Sequence, residues 1–242
     1  MSEKKLSCKG CDDDVIAGRA AILNNPLRIQ NLPEGTIIDY YLPLVIEEDP
    51  ANYIDFFRAV RDARSSDKIV LHINCYGGEC NVAFNIIDVL NMSDAHVEIH
   101  VEGACASAAT MIMLAGDCWE VSEHSYIMIH AWSGWRVGKW NEQVASFEFD
   151  KKWMEEKFRA IYKGFLTEDE IESVLAGKDL YFSSEETVKR LEKYQEKDAQ
   201  RQAVIQKIAE AHQDAINKEI AEALKKFEKA DATEEKSKKK TT

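Results

Sequence analysis

The sequence predicts an α/β fold, and three observations carry that prediction. Short β-rich apolar runs recur along the chain, and several end in Gly or small residues that lead into a helical pattern. Repeated strand–turn–helix units are the signature of a sheet covered by helices. The 242 residues are 45% hydrophobic, enough for one sizeable core and an appendage.

Residues 1 to about 33 read as polar and irregular, with Gly, Pro and the run Asp12-Asp13-Asp14, and the leader is assigned to residues 1–37. Cys8 and Cys11 form a CxxC, the spacing of half a zinc site, but no second CxxC or CxxH follows to complete one, so the pair is read as part of a solvated leader. Tyr40 to Ile46 is a β-rich apolar run. Asp49-Pro50 opens a helix from Ala51 to Arg64, with Ile54, Phe57, Ala59 and Val60 on one side. Lys68 to Asn74 reads as a buried strand, broken by Gly77-Gly78 and followed by a helix from about Cys80 to Asn91.

Val97 to Val101 is the next strand. A small-residue helix begins after Ser107 and closes at Ala115-Gly116. Trp119 to Val121 and Tyr126 to Ile129 give two short strands. Asn141 to Tyr162 is helical, and Leu166 to Leu175 is a shorter helix with Thr167 as N-cap.

From Glu185 to about Lys229 the chain has no Gly or Pro. Val204, Ile208, Ala211, Ala215, Ile220, Leu224 and Phe227 recur there at helical spacing. That amphipathic face needs a partner, either the core or another copy. The organisation read from the chain is therefore a leader over 1–37, a main domain over 38–192, a C-terminal helix over 193–229 and a disordered basic tail over 230–242.

Composition excludes some functions. A net charge of −12 is wrong for a general nucleic-acid binder, which needs a basic face. No stretch approaches the roughly 20 apolar residues of a membrane span. The start Met1-Ser2-Glu3-Lys4-Lys5 lacks an apolar signal region, so a cytoplasmic protein with reduced cysteines is expected.

One place in the chain suits a nucleophile. Ser107 follows Glu102-Gly103-Ala104-Cys105-Ala106 at a strand-to-helix turn, where free backbone N–H groups can receive a developing oxyanion. Acyl transfer at a serine also needs a base and an acid that orients the base. Of the six histidines, His72 and His100 lie in strands, His96 and His124 flank strands, and His212 lies on the C-terminal helix. His130 alone closes a strand in a way that delivers its ring to a sheet edge. Gly77-Gly78 reads as a tight turn that also lets backbone N–H groups approach a reacting carbonyl. Asp179, by itself, reads as a cap or turn residue before Leu180-Tyr181-Phe182-Ser183.

Together these segments resemble the proteolytic subunit of the Clp protease (ClpP), a serine endopeptidase family. The match runs through Ile73-Asn74-Cys75-Tyr76-Gly77-Gly78, Gly103-Ala104-Cys105-Ala106-Ser107, Met128-Ile129-His130 and Asp179-Leu180-Tyr181-Phe182-Ser183. It covers about residues 38 to 190. Tyr76 and Trp132 stand where the family has Pro, and Ala108 where it usually has Met.

The resemblance implies a ClpP/crotonase-like fold of repeated β-β-α units with a handle helix. It implies Ser107, His130 and Asp179 as the catalytic triad, and backbone N–H groups of Gly78 and Ala108 as the oxyanion hole. It maps substrate binding, as an added strand, to Gly77 and to Trp135, Arg136, Val137 and Gly138. It implies no cofactor and no metal. It also implies protein or peptide substrates, a homo-oligomeric ring (a heptamer or double heptamer) and an AAA+ unfoldase partner. The unusual ends resemble phage-type members that act in capsid maturation. The alternatives kept open are that role, a non-catalytic ring subunit, and the related crotonase chemistry, which needs no triad.

Overall fold

The computed structural model describes residues 26–134 and 137–196. These fall almost wholly in the first of two units, residues 1–194, and the second unit is residues 195–242. The leader cysteines Cys8 and Cys11, the apolar series from Val204 to Phe227 and the basic tail lie outside the described residues.

Strand β1 (Leu27–Leu32) pairs antiparallel with β2 (Gly35–Tyr41), closing at Leu32↔Gly35 across the turn Pro33-Glu34. The leader was expected to be irregular through about residue 33, and β1 corrects that expectation. As an edge strand with mostly exposed residues, Leu-Arg-Ile-Gln-Asn-Leu has no clean in–out alternation to betray it.

The Tyr40–Ile46 run is also divided. β2 ends at Tyr41, and residues 42–46 run beside the end of the next strand through scattered bonds such as Leu42 N–H to His72 C=O at 2.9 Å. Pro50–Tyr53 form a 3-10 turn, with the Asp49 carboxylate accepting from Ala51 N–H at 2.9 Å. Helix α1 (Ile54–Asp62) follows and buries Phe56, Phe57 and Val60. Ile54, expected on the apolar side, is 41% exposed because it lies to one side of the stripe formed by Phe56, Phe57 and Val60.

β3 (Lys68–Cys75), helix α2 (Cys80–Asn91), β4 (His96–Ala106) and helix α3 (Ala108–Met113) form two successive strand–turn–helix units. β2, β3 and β4 are parallel neighbours. Ile69, Leu71 and Ile73 on β3 and Val97, Ile99 and Val101 on β4 supply the buried face. The alternate residues point to the other face.

β4 runs to Ala106, five residues past the expected Val101, because it changes partners instead of turning. Its first half pairs with β5 (Cys118–Val121) and its second half with β6 (Tyr126–Ile129), both parallel. The register with β3 slips between these halves, from Ile73↔Val101 to Cys75↔Cys105. The Asn74 side chain enters the bulge and accepts from Ala104 N–H at 3.1 Å. Gly103 makes room, since a Cβ there would lie 2.6 Å from Asn74 Oδ1.

Helix α4 (Trp140–Tyr162) and helix α5 (Glu168–Leu175) follow, the latter closed by a capping box of Thr167 and Glu170. β7 (Leu180–Ser183) pairs antiparallel with β6, and residues 184–196 are helical (α6). The result is a seven-stranded sheet in the order β1-β2-β3-β4-β6-β7, with β5 beside the first half of β4. This mixed α/β architecture agrees with the predicted fold class. Among the described residues no helix is long and apolar enough to cross a membrane.

Candidate active site

Ser107 occupies the turn between β4 and α3 with φ 55° and ψ −127°. Among the described residues it is the one non-glycine with positive φ. Such a conformation costs about 1–3 kcal/mol and persists only where surrounding bonds impose it.

Those bonds are visible. Ser107 N–H donates to Met128 C=O at 2.8 Å, extending the β4–β6 ladder to the turn itself. Its carbonyl accepts from Thr110 N–H at 3.0 Å and from the Thr110 hydroxyl at 2.6 Å. The Thr110 hydroxyl also meets Tyr162 Oη, which burial keeps protonated by pushing its pKa upward. A hydroxyl has one proton, so Tyr162 donates to Thr110 and Thr110 donates to Ser107. The last residue of α4 thereby braces the turn.

The ladder also positions His130. β6 ends at Ile129, and the next residue presents its ring beside the turn, with Nε2 2.7 Å from Ser107 Oγ. That is a full hydrogen bond between a base and a hydroxyl held at a strained turn.

Gly77 and Gly78 complete the surroundings. Gly77 has φ 91°, and a Cβ on it would lie 2.7 Å from Ser107 Cβ and 2.9 Å from Ala108 N. Only a bare α-carbon permits this approach. Gly77 N–H donates to Cys75 Sγ at 3.3 Å, and Gly77 C=O accepts from Ile46 N–H at 2.8 Å. Both its polar groups are therefore engaged internally, and Gly77 shapes the site through its missing side chain.

Ile46 bonds to Gly77 C=O and Glu79 N–H in the parallel manner, which turns Gly78 N–H to the opposite side. Ala108 N–H stands at the first position of α3, where no intrahelical acceptor exists. Neither N–H has an acceptor among the described residues.

Asp179 is placed less closely. The β6–β7 register ends at Ile129↔Leu180, so the next position outward sets Asp179 across from His130. Its side chain is exposed, and among the described residues no hydrogen bond joins it to His130. Of the mapped substrate segment, Trp135 and Arg136 lie outside the described residues, while Val137 and Gly138 are exposed.

A shallow cleft with a free volume of about 20 Å³ opens beside Ser107 and His130, with Ala108 on its wall. Cys80, Phe84, Met111, Trp132, Met154, Phe158 and Tyr162 line the rest. Sequence reasoning did not place these residues beside the site, and Trp132 stood out only as a departure from the family pattern. Met154, Phe158 and Tyr162 recur at helical spacing and read as ordinary core residues, and only the approach of α4 to α2 and α3 makes them a pocket wall.

The arrangement sets a base against a serine hydroxyl at a strained turn, near two backbone N–H groups without acceptors and an apolar wall. In a comparison with protein families, a family model described as Clp protease matches residues 45–190 of the chain.

Proposed function

Since the chain belongs to the Clp protease family, and is thus a peptidase of the ClpP kind, we propose that it is a serine endopeptidase with Ser107 as nucleophile. The observation that carries this reading is the 2.7 Å contact between His130 Nε2 and the Ser107 hydroxyl at a strained strand-to-helix turn.

In the reaction, Ser107 Oγ attacks the scissile carbonyl carbon while its proton passes to His130 Nε2. The carbonyl electrons move to oxygen, where N–H groups of Gly78 and Ala108 receive them. The intermediate collapses as His130 returns the proton to the leaving amine, and the acyl group stays on Ser107. Water, deprotonated by His130, then attacks the ester carbonyl, and Oγ departs with the proton.

For Nε2 to accept, the imidazole proton must sit on Nδ1. Asp179 is assigned to hold that tautomer, on the strength of its register position opposite His130. The apolar lining beside Ser107 favours contact with an apolar substrate residue next to the scissile bond. Trp135, Arg136, Val137 and Gly138 are assigned to hold the substrate as an added strand.

Family members assemble into rings that enclose their active sites and receive unfolded chains from AAA+ partners. We assign this chain the same chamber and the same ATP-dependent role in the cytoplasm.

The test is hydrolysis of casein and of a fluorogenic peptide by wild type and Ser107→Ala, with the mass of the intact assembly measured in parallel. Hydrolysis by a ring-sized wild type, abolished in Ser107→Ala, is expected. Equal activity of the two would end the proposal, and hydrolysis by a monomer would end the chamber.

A further inference from the structure

The face of the sheet opposite the core carries a cluster that peptide hydrolysis does not use. His72 on β3 and His100 on β4 sit directly across from each other in the parallel register. Their rings lie edge to face at 5.1 Å. Glu102, two residues along β4, projects from the same face, and its Oε1 lies 2.8 Å from His72 Nδ1.

One donor atom from each of His72, His100 and Glu102 falls within 4.8 Å of the others. Glu98, His100 and Glu120 form an overlapping group by the same measure. His72 and His100 are largely covered, at 11% and 20% side-chain exposure, with Tyr41 stacked on His72 at 4.1 Å. These rings are therefore held, not splayed into solvent.

We propose that His72, His100 and Glu102 bind a divalent transition-metal ion of the Zn2+ class. Two imidazoles and a carboxylate are the donor set such ions prefer, while Mg2+ and Ca2+ prefer oxygen alone. Three protein ligands leave a fourth position for water.

The surroundings supply the outer contacts that orient ligating histidines. Asp39 Oδ1 lies 3.7 Å from His72 Nε2, and Glu98 Oε1 lies 2.6 Å from His100 Nε2. The charge balance also favours a cation. Asp39, Glu98, Glu102 and Glu120 face the two rings, and the nearby positive side chains are at the margins. Lys68 is paired with Glu98, and Arg28 sits across from Asp39 in the β1–β2 register.

The ion would tie β3 to β4 at the level where β4 begins its bulge, and so brace the strand that ends at Ser107. This assignment does not depend on the peptidase reading.

The test uses the full chain carrying Cys8→Ser and Cys11→Ser, which removes the leader thiols as competing ligands. Calorimetric titration with ZnCl2 is expected to give one ion per chain and a raised melting temperature. MgCl2 should give neither. His72→Gln, His100→Gln and Glu102→Gln should each weaken Zn2+ binding by about 10-fold or more.

X-ray absorption on the Zn2+-loaded protein should report a nitrogen and oxygen shell with imidazole scattering. That readout needs no variant, so it stands even if His100→Gln fails to fold. Absence of stoichiometric binding, a shell without imidazole, or unchanged affinity in folded His72→Gln and Glu102→Gln would overturn the proposal.

Discussion

Replacing Gly77 by Ala puts the geometry of the Ser107 turn to a quantitative test. The new Cβ would lie 2.7 Å from both Ala106 O and Ser107 Cβ, and 2.9 Å from Ala108 N. All three atoms belong to the turn or its backbone, so no flexible side-chain end can swing away. Relief requires moving the β3–α2 connection away from the turn by several tenths of an ångström. Gly77 also has φ 91°, where an Ala is strained by about 1–2 kcal/mol. A stability loss of about 1–3 kcal/mol follows.

The catalytic effect should be larger than the stability loss suggests. Gly78 N–H follows directly in the chain, and a displacement approaching 1 Å at a reacting centre costs about 100-fold in rate. Fluorogenic peptide kinetics with a parallel thermal melt measure both quantities. A folded Gly77→Ala with a modestly lowered melting temperature and kcat reduced about 100-fold is the expected result. Wild-type kcat, with or without a shifted melt, would refute the argument that the glycine's bare α-carbon sets the oxyanion geometry.

Other expectations follow from the same structure. Asp179→Ala should reduce kcat by about 10³–10⁴-fold, as for removal of an orienting acid, and an unchanged kcat would leave a Ser–His dyad in place of a triad. Tyr162→Phe removes the donor to Thr110 and should lower stability by about 0.5–1.5 kcal/mol in a chemical denaturation series; no change would mean the brace carries nothing. Cys80→Phe should fill the cleft and reduce kcat/KM for peptides with a large apolar residue at the scissile bond by about 10-fold or more, sparing small ones.

Glu170 bonds Arg190 at 2.7 and 2.9 Å, and that partner lowers its pKa from 4.5 to about 2. A carboxylate depressed in the folded state stabilises fully above the unfolded value of about 4.5 and loses that contribution as pH falls toward 2. Because Glu170 keeps 25% side-chain exposure, the contribution is at most about 3 kcal/mol. Unfolding free energies from pH 6 to 2 should show the decline in wild type and a flatter profile in Glu170→Gln.

Much of the site was legible in the sequence because its parts are local. Cys80–Asn91, Ser107 before a short helix, and His130 at the end of Tyr126–Ile129 all follow from apolar runs broken by small residues. What escaped depends on contacts distant in the chain. Thr110 and Tyr162 are 52 residues apart, and neither carries a local sign of their bond. β1 is exposed on both faces, so its sequence lacks alternation. The extension of β4 to Ala106 rests on a change of neighbours and on Asn74 filling a bulge, which periodicity does not record. The pairing of His72 with His100 is likewise a matter of register, invisible until β3 and β4 lie side by side.

The central claim is that His130 activates Ser107 as the nucleophile. The most direct measurement is the intact mass and peptide map of the protein after exposure to a fluorophosphonate. A single adduct located on Ser107 is predicted for wild type, with none on Ser107→Ala and strongly slowed labelling in His130→Ala. An unlabelled wild type, or an adduct that persists in Ser107→Ala, would contradict the account.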